Sequence, residues 1–165
     1  MKTLDLNELV RNHPYPGRGV VLGRSADDKK AVIAYFIMGR SENSRNRIFE
    51  ATEDGIRTRA FDESKMVDPS LIIYHPVRTM GDALVVTNGD QTDTIVEAGD
   101  FRAGCMQREY EPDAPNFTPR ISAIVNPDGS FEMSILKHGE DGRCVREFFV
   151  YEGADEGQGY FCLLY

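Results

Sequence analysis

Apolar positions fall into short runs with turn residues between them, and the runs dictate most of the expected elements. In "TLDLNELV" the spacing puts Leu6, Leu9 and Val10 on one side of a short helix, which "HPYPG" then stops. "GVVLG" and "AVIAYFI" are β-branched runs separated by the polar "RSADDKK", which predicts a hairpin whose strands are buried on both faces or nearly so. "RIFEATEDGIRTRAF" predicts a second hairpin turning at Asp54-Gly55, and its alternating polar residues place it at a sheet edge or a wetter face. "LIIYHPV" and "ALVVTNG", flanking "RTMGD", predict another strand pair. The polar "DQTDTIVEAGDFRAGCMQREYE" predicts one longer helix capped by Asp90 or Thr92. "RISAIV", "FEMSILKH" and "RCVREFFVYEG", joined by "NPDGS" and "GEDG", predict a three-strand meander. The sum is about eight strands and two or three helices, an α+β fold with mainly antiparallel sheets. No repeat or linker divides it, so a single domain over residues 1–165 is expected.

Composition narrows the function classes. With 27 acidic against 19 basic residues the net charge is −8, which disfavours nucleic-acid backbones and anionic membranes as partners. Cys105, Cys144 and Cys162 are odd in number and form no Cys-x-x-Cys pair, so reduced thiols in a cytoplasm are expected rather than disulfides or zinc. No apolar run approaches the roughly 20 residues that span a bilayer, and the N-terminus carries acidic residues and prolines where a signal peptide has its apolar core. His13, His75 and His138 share no metal-ligand spacing. "GRGVVLG" precedes a strand, whereas the dinucleotide fingerprint follows one and opens a helix.

Three constellations remain. "MGRSENSRNR" packs Arg40, Arg45 and Arg47 among Ser41, Asn43, Ser44 and Asn46. Guanidinium forks with neutral donors suit phosphate or carboxylate, although spacing alone leaves a solvated turn equally open. Tyr74 and Arg78, four residues apart at a strand end, would share a face. In "EYEPDAPNFTPRI", Glu109, Glu111 and Asp113 stand before a proline-punctuated loop of the kind that often carries chemistry.

The ordered set "YPGRGVVLG", "AYFIMGRSENSRNR", "YHPVR", "VVTNGDQTD" and "TPRI" resembles the archaeal-type IMP cyclohydrolase family, over about residues 13 to 160. The resemblance implies a four-layer αββα sandwich of two mainly antiparallel sheets, like that of N-terminal nucleophile hydrolases but without the autoprocessed nucleophile. It implies closure of the ring of 5-formamidoimidazole-4-carboxamide ribonucleotide to inosine monophosphate and water. A small ribonucleotide is then the partner, with no cofactor and no metal, no nucleic acid and no membrane; a homo-oligomer is left open.

Carried over residue by residue, it makes Arg40, Tyr74 and Glu111 catalytic. Arg40 and Tyr74 would polarise the formyl oxygen and Glu111 would carry the proton. Substrate contacts fall to Arg18, Ser41, Asn43, Arg45, Arg47, Arg78, Asn88, Asp93 and Arg120, with Arg18, Arg45 and Arg47 on the phosphate. Relatives are expected to continue beyond the position of the closing "EGQGYFCLLY", whose last four residues are more apolar than expected. That keeps a non-catalytic purine-nucleotide-binding relative open. An N-terminal nucleophile amidohydrolase, cleaving itself before Cys105 at "AGCM", is the other alternative.

Overall fold

The computed structural model describes residues 3–15 and 17–164. Ten strands form two antiparallel sheets. The smaller, ordered β10-β1-β2, comprises β1 (Arg18–Arg24), β2 (Ala31–Ile37) and β10 (Gly159–Leu164). The larger runs in sequence order through β3 (Arg47–Thr52), β4 (Gly55–Ala60), β5 (Val77–Met80), β6 (Ala83–Thr87), β7 (Arg120–Val125), β8 (Phe131–His138) and β9 (Cys144–Tyr151). The helices are α1 (Leu6–Arg11), α2 (Glu42–Arg45), α3 (Gln91–Ala98) and α4 (Phe101–Met106), with a 3-10 turn at Glu63–Lys65. The protein is therefore α+β with two antiparallel sheets, as the sequence pattern requires.

The sheets face each other across one apolar layer. Alternation along β1 sends Val20 and Leu22 inward, against Val86 of β6, Ile121, Ala123 and Val125 of β7, and Phe131 and Met133 of β8. β7 is buried along its whole length because its other face, with Ile124, lies under α3 and α4. There Ile95, Phe101 and Cys105 meet Val85 and Leu136 in a second cluster. Each fully buried Leu or Ile contributes roughly 1.5–3 kcal/mol relative to exposure, so these two layers dominate the stability.

Several elements differ from the sequence expectation. The meander and the first two hairpins are present, and β3 is indeed a sheet edge. However, β2 is not buried on both faces: Val32 and Ala34 are exposed. They belong to an apolar outer row with Val21 and Phe161, and Leu4 and Leu6 of the N-terminal segment line a cavity with Val21, Val32 and Phe161. Helix α1 shows the expected half-buried stripe of Leu6, Leu9 and Val10 but fully buries none of its residues. In the second hairpin Thr52 pairs with Gly55, so Glu53 and Asp54 form the loop, while Gly55 sits at φ 155 with Val77 packed where a side chain would go.

"LIIYHP" is not a strand; pairing begins only at Val77, because Pro76 has no amide hydrogen to offer the sheet. The expected long helix is two, broken where Gly99 adopts φ 64. Gly104 lets α4 come so near that a Cβ there would lie 2.5 Å from Ile95 Cα. Asp90 occupies the N-cap position of α3 without capping it, since its carboxylate is held by Arg108 and Arg120. The closing apolar segment is strand β10, and its Cys162 packs into the inter-sheet core.

Candidate active site

At one end of the sandwich a cavity of about 390 Å³ opens between the start of β1, the 38–47 loop, residues 68–72 and the 111–118 loop. Its polar walls carry Arg18, Arg40, Arg47, Glu111, Asp113 and Thr118, and Met38, Leu71 and Ile72 supply an apolar wall. The volume lies at the lower end of ordinary ligand sites, the range of a mononucleotide rather than a dinucleotide.

The arginine-rich stretch divides its residues among different tasks. Ser41 caps α2 in a reciprocal capping box, its hydroxyl accepting from Ser44 N and the Ser44 hydroxyl accepting from Ser41 N, each at 3.0 Å. Asn43 pins the opposite loop, donating to Asp68 O and accepting from Val67 N. Arg45 folds back on its own loop, donating to Gly39 O at 2.9 Å and Arg40 O at 3.1 Å, and does not line the cavity. Arg40 does, with a side chain 53% exposed; it donates to Thr118 Oγ1 at 3.1 Å and stands 3.8 Å from the Asp113 carboxylate. Arg47 opens β3 and lines the interior, where it donates to Ile72 O. No carboxylate lies within ion-pair distance of Arg47 among the described residues, and burial pulls its pKa down.

Opposite, Arg18 reaches from β1 to donate to the Glu111 carboxylate at 2.5 Å and to Asn88 O at 2.8 Å. Glu111 is only 2% exposed, and burial pushes its carboxyl above the ordinary range despite the opposing pull of Arg18 and Arg120. Tyr74 sits one layer deeper. It does not line the cavity; its hydroxyl shares a 2.7 Å hydrogen bond with that of Tyr35, beside Arg47, Arg18 and Glu111. Burial raises both phenols, Tyr35 most strongly. The floor thus holds two guanidiniums against one carboxylate, an excess of positive charge in a partly dry site that an anionic ligand would neutralise.

Other expected site residues lie elsewhere. Tyr74 and Arg78 do not share a strand face, because Tyr74 precedes the strand; Arg78 is paired with Asp54 at 2.7 Å and Asp93 at 2.9 Å, away from the cavity. Asn88 is buried, and its side chain binds Ile121 N, Gln91 and Pro119 O, so it offers the site only its backbone carbonyl. Arg120 is buried behind the floor against Asp90 and Gln91. Cys105 lies inside α4 with a thiol pushed up to about 11 by burial, chemistry opposite to that of an activated nucleophile. Tyr35, Tyr15 and Thr118 were not among the expected site residues, and Asp113 was named only with the acidic stretch before the loop. Thr118 opens "TPRI", which was the one sequence signal available for it.

An α+β protein of two facing antiparallel sheets, with a cavity lined by arginines and carboxylates at one end, is the class that fold and site define. Comparison with known proteins makes this specific: the profile described as "IMP cyclohydrolase-like protein" matches residues 15–165. The chain belongs to this family. Similar curated proteins named IMP cyclohydrolase include that of Methanosphaera stadtmanae, 30% identical over 134 residues, covering 75% of this chain and 64% of the relative. That of Halobacterium salinarum is 30% identical over 131 residues, covering 74% and 63%. That of Methanococcus aeolicus is 26% identical over 125 residues, covering 71% and 61%. The chain thus spans about three fifths of the length of the curated relatives it matches.

Proposed function

We propose that this chain is an IMP cyclohydrolase, closing the ring of 5-formamidoimidazole-4-carboxamide ribonucleotide to inosine monophosphate and water. Family membership supports the reaction; the observation that carries it to this chain is the buried Arg18–Glu111 pair beside the carboxylate-free Arg47, on the floor of a mononucleotide-sized cavity. In the reaction the carboxamide nitrogen attacks the formyl carbon, forming the new N–C bond and placing negative charge on the formyl oxygen. That oxygen then leaves as water, with two protons lost from the substrate's nitrogens. The protein must hold the anion, stabilise the oxyanion and carry protons.

Burial supports a division of these tasks different from the one the resemblance implies. Arg47, interior and without a carboxylate partner, suits a charge that develops only during reaction, because a preorganised donor acts most strongly where water is excluded. Arg40, half exposed at the rim and held only by a neutral hydroxyl and a more distant carboxylate, suits the permanently charged phosphate. Glu111 is the proton carrier, its carboxyl already displaced towards neutrality. Tyr74 acts from behind the floor. Arg45 and Asn43 serve by shaping the loops that present Arg40 and Arg47.

As a single domain with three unbridged cysteines and purine-synthesis chemistry, the protein fits a cytoplasmic enzyme acting on a small ribonucleotide. Among the described residues no helix is long and apolar enough to cross a membrane, and no three His, Cys, Asp or Glu side chains gather as a metal site. The test is an ultraviolet or chromatographic assay of inosine monophosphate formation by the purified 165-residue chain. Product formation is expected; binding of inosine monophosphate without conversion of the formamido substrate would instead mark a non-catalytic nucleotide binder.

A further inference from the structure

Residues 111–118 form a closed loop whose two ends are joined by a hydrogen bond from Glu111 N to Thr118 O at 2.8 Å. Both end residues face the cavity by their partners: Glu111 meets Arg18, and Thr118 meets Arg40 and Asp113. Tyr110, immediately outside this closure, and Phe117, just inside it, have a different set of partners. Phe117 stacks on His138, the last residue of β8, with ring centroids 4.4 Å apart and planes 16° from parallel. Tyr110 meets both rings edge-on, at 4.8 Å from His138 and 5.4 Å from Phe117, and its hydroxyl donates to Gly142 O in the β8–β9 turn.

Phe117 holds φ 45, a left-handed conformation that costs an ordinary side chain of its size about 1–3 kcal/mol and persists only where the surroundings enforce it. The surroundings here are the stack and the Asp113 carboxylate, which accepts from Thr118 N at 2.7 Å and Thr118 Oγ1 at 2.5 Å. The loop is thus gripped on one side by three rings tied to the end of β8, while its other side presents the carboxyl and the hydroxyl that meet the cavity arginines.

We propose that His138, Phe117 and Tyr110 form a clamp of positioning residues that fixes Glu111 against Arg18 and Thr118 against Arg40. None of the three lines the cavity, so they act through the loop and not on the ligand. The proposal rests on the cyclohydrolase reading of the same site. A displacement near 1 Å of a reacting group can cost on the order of a hundredfold in rate, whereas a rim arginine with a long flexible stem still finds a phosphate. Losing the clamp therefore lowers kcat and leaves KM nearly unchanged.

His138 is exposed, so its replacement leaves both apolar layers intact. The experiment compares the parent chain, H138A and H138F in steady-state inosine monophosphate formation, with circular dichroism on each to confirm the fold. H138A is expected to lose about tenfold or more in kcat with KM within about twofold, and H138F, which restores a stacking ring, to recover parental kcat. Parental kcat in H138A, or equal loss in H138F, overturns the clamp. No turnover by the parent overturns the underlying reading and the clamp with it, so the two failures are told apart by the parent alone.

Discussion

Arg18 gives one nitrogen to both the Glu111 carboxylate and the Asn88 carbonyl, so the proposed proton carrier is held by a guanidinium that is itself anchored to the backbone. Glu111→Gln keeps the shape and the acceptor oxygen but cannot move a proton; kcat should fall by roughly a hundred- to ten-thousand-fold with KM within a few-fold. The same substitution reports on stability. Burial raises the folded-state pKa of Glu111, so its stabilising contribution is complete below the ordinary carboxyl range and is lost as pH rises through the raised value. Thermal denaturation from pH 4 to 8 should therefore show the parent losing Tm relative to E111Q as pH increases. For the arginines, Arg47→Gln should lower kcat by about a hundredfold or more, and Arg40→Gln should chiefly raise KM; the reverse outcome returns chemistry to Arg40. Spacing places these residues together, and the division of tasks that the resemblance implies, Arg40 to chemistry and Arg45 and Arg47 to phosphate, is not the one their burial supports. Arg40, Arg45 and Arg47 are chemically identical, and only the fold shows that Arg45 binds its own loop's carbonyls while Arg47 lies inside.

Elements built on alternation or tight turns were legible, and those governed by single exceptional residues were not. The meander from β7 to β9 follows from its runs and turn residues, but "LIIY" has strand composition and is irregular because Pro76 has no amide hydrogen to donate, although its carbonyl accepts from Thr87 N at 2.8 Å. The two-helix break turns on Gly99, and the approach of α4 to α3 on Gly104, neither of which the apolar pattern singles out. A methyl group at position 104 would meet Ile95 backbone, which cannot move aside as a side-chain tip can. Gly104→Ala is accordingly expected to destabilise by about 1–3 kcal/mol in chemical denaturation, despite the better intrinsic helix propensity of alanine. The apolar outer row of the small sheet misled in the opposite direction. A continuous run such as "AVIAYFI" predicts burial on both faces, and here one of those faces is largely open.

Over the whole molecule a net charge of −8 surrounds a cavity floor that carries an excess of positive charge, so anion affinity is concentrated at one place. Inosine monophosphate at a hundred times its Kd should stabilise the native chain by about 2.7 kcal/mol, raising Tm by roughly 5–10 °C for a chain of this size. That shift should largely disappear in a variant lacking both Arg40 and Arg47. The cavity itself is assembled from four stretches far apart in the chain: the start of β1, the 38–47 loop, residues 68–72 and the 111–118 loop. Arg18 and Glu111, which meet at its floor, are 93 positions apart. The four lie between the start of β1 and Thr118, but the sheets that hold them are completed only by β7 to β10, so a partly folded chain has no weaker version of the pocket to offer. On the proposed function, nucleotide binding is therefore a readout of completed folding, and titrating a preparation with inosine monophosphate would count its native molecules.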